Sequence, residues 1–90
     1  MSEVEGSIHI VRLTDDVAML TFTPNTFSGG AVPQRHVRGG LDGLKADLTG
    51  IGISAAEIGR AIETITKDKT VTIPWVRLTP ARLHELGLMQ

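Results

Sequence analysis

The chain reads as a single α+β domain, in which a small antiparallel sheet of three strands packs on two central helices. Two β-branched runs parted by turn residues open it, two runs at helical spacing occupy the middle, and another β-branched run follows late. With 90 residues there is room for one hydrophobic core and not for two.

Residues 1–6 form a polar tail. Residues 7–13 and 17–23 then flank Thr14, Asp15 and Asp16, which favour a turn, so a β-hairpin is expected. In the second run Ala18, Leu20 and Phe22 share one face and Thr21 and Thr23 the other, as in a half-buried strand. Residues 26–40 carry Gly29, Gly30, Pro33, Gly39 and Gly40 with neither period, and read as a long loop, a kind of segment that is usually functional or disordered.

Leu41, Leu44, Leu48 and Ile51 lie on one face of a helix that Gly50 and Gly52 end. Ser54 and Glu57 make a capping box for the next helix, and Ile53 with Ile58 makes a hydrophobic staple across the same start. Ile58, Ala61, Ile62 and Ile65 then supply its apolar stripe, interrupted by Gly59, where close packing by a neighbour is expected. Residues 70–73 begin a third strand in which Val71, Ile73 and Trp75 share one alternation, with Thr70 and Thr72 on the other. Pro74 cannot donate to a ladder and so puts this strand at an edge or a bulge. A short last helix has Thr79 as N-cap, Pro80 at its first position, a Leu78 to Leu83 staple and Gly87 as its stop.

Composition narrows the function. Aromatic residues are limited to Phe22, Phe27 and Trp75, so the core is expected to be aliphatic. The formal net charge is −1, which lacks the basic excess of a dedicated nucleic-acid binder, although Val17 to Leu41 contains two arginines and no acid. The absence of cysteine removes disulfides, thiolate metal sites and cysteine nucleophiles, and points to a reducing cytoplasm. The acidic start lacks the pattern of a signal peptide, and no run is long enough to span a membrane.

Several motifs reduce to structure. Gly50-Ile51-Gly52-Ile53-Ser54-Ala55 matches G-x-G-x-x-A, but a helix precedes it where a dinucleotide fingerprint needs a strand. The order helix, glycine turn, helix, strand resembles a helix-turn-helix with a wing, in which residues 54–65 would read nucleic acid. Leu48 stands where that motif takes a small residue, and Glu57 and Glu63 beside Arg60 suit phosphates poorly. His9, His36 and His84 have no metal-ligand spacing, and no G-x-S-x-G occurs. No cofactor, metal or catalytic role is therefore expected.

Two features remain as candidate partner-binding residues. Arg35, His36 and Arg38 combine forked donors with a titratable ring between flexible glycine pairs, and on a loop their removal should leave folding intact. Trp75 either anchors the core or stands exposed as an interface hot spot. The expectation is a non-catalytic interaction module acting on another protein: an adaptor, a regulatory subunit or an inhibitor. A homodimer through the strand near Pro74 is a further possibility, and nucleic-acid binding is the alternative.

Overall fold

The computed structural model describes residues 3–26, 29 and 32–88. Along the chain run β1 (Val4–Arg12), β2 (Val17–Pro24), β3 (Gln34–Arg38), α1 (Gly40–Ile51), α2 (Ala55–Asp68), β4 (Thr70–Leu78) and α3 (Pro80–Glu85). The class is α+β, and the sheet has four antiparallel strands in the order β3-β2-β1-β4. α1 lies against β3 and β2, and α2 against β4 and β1, so the helical hairpin carries the chain from one sheet edge to the other over a single face.

The apolar alternation chooses that face. Ile8 and Ile10 of β1, Leu20 and Phe22 of β2, and Ile73 and Val76 of β4 point toward the helices, where Leu44, Leu48, Ile58 and Ile65 meet them. His9, Met19, Thr21, His36 and Thr72 fall on the opposite, uncovered face, the usual division for an antiparallel sheet. Among the described residues no polar or charged side chain is buried.

The end signals mark the helices as expected. Ser54 Oγ accepts the Glu57 N–H at 3.3 Å, and Thr79 Oγ1 accepts the Arg82 N–H at 3.2 Å. The reciprocal half of the capping box is missing, because the Glu57 carboxylate pairs with Arg60. Gly87, at φ 71°, closes α3 as Leu88 N–H bonds Leu83 O at 2.9 Å.

Four expectations need correction. The sheet has four strands instead of three, because residues 34–38, read as part of a loop, form β3. Only Val37 of this strand is a buried aliphatic, and the other helix-facing position holds Arg35, so no apolar alternation announces it. Phe27, Ser28, Gly30 and Ala31 of the same segment lie outside the described residues. The polar tail is shorter than expected, since Val4, Glu5 and Gly6 already pair with Leu78, Arg77 and Val76.

The close glycine contact is also elsewhere. A Cβ on Gly59 would meet nothing within 4 Å, whereas one on Gly43 would overlap the Arg38 carbonyl. Gly43 is what lets α1 settle onto the end of β3.

Candidate functional site

The three clustered residues of β3 are divided between the two faces of the sheet. Strand alternation sends Arg35 to the helix side and leaves His36 and Arg38 exposed on the outer side, with His36 opposite Met19 and Arg38 opposite Val17. Arg35 is fully engaged: Nε donates to Asp47 Oδ2 at 3.0 Å, Nη2 to Asp47 Oδ1 at 2.6 Å and Nη1 to the Leu86 carbonyl at 3.0 Å. The hydrogen bonds to Asp47 and its charge raise the Arg35 pKa further above the ordinary arginine value, against the opposing effect of burial. Arg35 therefore ties β3 to α1 and to the end of α3, and is not a free donor on a mobile loop.

Trp75 is placed very differently. Its surface is 76% exposed, so it does not anchor the core. It occupies a β-bulge: Ile73 pairs with Ile8 and Val76 with Gly6, so Pro74 and Trp75 together oppose Ser7 alone. In an unbroken strand Trp75 would follow Ile73 onto the helix side. The extra residue instead gives that place to Val76, which is 7% exposed, and pushes the indole out at the sheet edge.

The backbone at Trp75 has φ 63°, in the left-handed region that disfavours bulky side chains. Such a residue costs on the order of 1–3 kcal/mol and persists only where its surroundings impose it. Here the register of β1 and β4 on both sides of the bulge imposes it.

A shallow groove borders Trp75 on each side. One, of about 300 Å³, runs between the α1–α2 turn at Ile53 and the second half of β4. The other, of about 400 Å³, is lined by Arg60, Ala61 and Thr64 of α2 and by Val71 and Thr72 of β4. Glu57 and Pro74 belong to both. The charges around them are already matched: Glu57 pairs with Arg60, and Arg77 Nε donates to Glu5 Oε2 at 2.8 Å. β4 is also an edge strand, so one side of its backbone has no strand partner within the sheet.

The groove on α2 is not legible in the sequence alone. Arg60 and Thr64 stand one turn apart on the side of the helix nearest β4, but only the pairing of α2 with the sheet edge makes that side a wall. His9 and His36 are separated by β2, and His84 lies on α3. Among the described residues no three His, Asp or Glu side chains converge to hold a metal ion, and no helix is long and apolar enough to cross a membrane. Comparison with models of protein families, with curated proteins and with solved structures finds no match.

Proposed function

We propose that this chain is a non-catalytic protein-interaction module, an adaptor, regulatory subunit or inhibitor, whose docking surface is the β4 edge around Trp75. The observation that carries the reading is the exposure of the single tryptophan at φ 63° in a bulge. The fold gains little from an indole that it neither buries nor relaxes, while tryptophan is among the residues that contribute most when an interface covers them. The grooves on either side give a partner concave surface next to the projecting ring.

Proteins captured from the native lysate by the wild-type chain are compared with those captured by Trp75→Ala and by His36→Ala/Arg38→Ala. Loss of capture with Trp75→Ala alone supports the reading. Capture that depends on His36 and Arg38 but not on Trp75 moves the surface to the outer sheet face and overturns it. Salt-sensitive binding of duplex nucleic acid that Arg60→Ala weakens would favour the nucleic-acid alternative instead.

A further inference from the structure

We infer that the partner of this surface is a second copy of the chain, joined about a two-fold axis through β4, with Trp75 of each copy seated in the groove beside Arg60 and Thr64 of the other. The inference rests on the interaction reading above and names its partner. Its first support is self-complementarity. A projecting ring and a groove lined by Val71, Thr72, Ala61 and Thr64 occur side by side on one patch. A two-fold axis at such a patch fills both grooves with both rings at once, which is the defining property of an isologous contact.

The free strand edge gives the same geometry. Residues 70–73 precede the bulge and remain in regular register with β1. When β4 meets its own copy antiparallel about an axis at Ile73, Trp75 of each chain comes abreast of Val71 of the other, a residue of the groove wall. Arg60 on the groove wall is then in place to stack on the incoming indole.

Charge favours a like partner over a charged one. Glu57 with Arg60 and Arg77 with Glu5 are paired within the chain, so the patch has no strong field to repel a copy or to attract a polyanion. The area required is modest. A stable interface covers about 800 Å² on each partner, against 5379 Å² exposed by the chain, and an indole supplies about 150–250 Å² of such burial. Self-association is also a common supplement for a core of this size without disulfides.

Because the chain has one tryptophan and no tyrosine, its emission reports Trp75 alone. Sedimentation equilibrium is run from low micromolar to near-millimolar concentration, with emission and iodide quenching read on the same samples. The expected result is a monomer–dimer equilibrium in which emission shifts to shorter wavelength and quenching falls as dimer forms. Trp75→Ala should weaken dimerisation by at least about 30-fold with unchanged circular dichroism. Thr64→Lys, which places a charge in the groove without touching the bulge, should do the same.

A monomer throughout, or a dimer in which Trp75 stays fully quenchable, overturns the inference. The lysate capture then judges the interaction reading on its own, since a Trp75-dependent partner of another kind would leave that reading standing.

Discussion

Arg35 on β3 holds both carboxylate oxygens of Asp47 on α1, with its shortest contact at 2.6 Å, and spends its remaining nitrogen on the Leu86 carbonyl at 3.0 Å. The side chains are only 32% and 15% exposed, so solvent screens the pair less than it would a surface bridge. This one side chain fastens the short edge strand and the terminal helix to the same point.

Arg35→Ala should therefore destabilise the protein by about 2 kcal/mol, because Asp47 is left partly buried without its charged donor. Arg35→Lys keeps the charge but not the fork and should recover only part of the loss. Chemical denaturation measures both. A loss within about 0.5 kcal/mol for Arg35→Ala, as for an exposed loop arginine, would show that the clamp contributes nothing.

Gly43 of α1 and Gly59 of α2 should respond to alanine with opposite signs. Gly43→Ala forces α1 away from the Arg38 carbonyl and should cost about 1–3 kcal/mol. Gly59→Ala enters open space in a helix interior and should gain about 0.5–1 kcal/mol. Thermal unfolding of the two variants side by side checks the ordering.

At the start of α2, Ser54→Ala removes the acceptor of the Glu57 N–H and should cost about 1 kcal/mol. Glu57→Ala should cost less than about 0.5 kcal/mol, since its carboxylate serves an exposed pair with Arg60 and not the second half of the cap. Equal losses in urea denaturation would mean that the full reciprocal box forms in solution.

What the sequence made legible follows the range of each interaction. Caps and staples at Ser54 and Thr79 join residues three to five positions apart, so the pattern that encodes them is local. Pro74 likewise marks its own strand as marginal, and β4 is indeed at the sheet edge. β3 is not legible because Arg35 replaces one of its two inward aliphatics, and the acid that makes this tolerable lies on another element. The side of the sheet that Trp75 takes is hidden for a related reason. Its outward placement depends on a register shift between β1 and β4, which only pairing the two strands reveals.

Trp75 is held exposed and strained instead of contributing to the core, and equilibrium denaturation of Trp75→Gly checks this. The measurement follows circular dichroism at a concentration too low for self-association. Glycine relaxes the left-handed backbone and gives up an indole that is 76% exposed. The variant is predicted to be at least as stable as wild type, by up to about 1 kcal/mol after the added chain entropy of glycine. A loss of about 3 kcal/mol or more, the cost of removing a buried aromatic, would instead make Trp75 part of the fold's own packing and not a free interface residue.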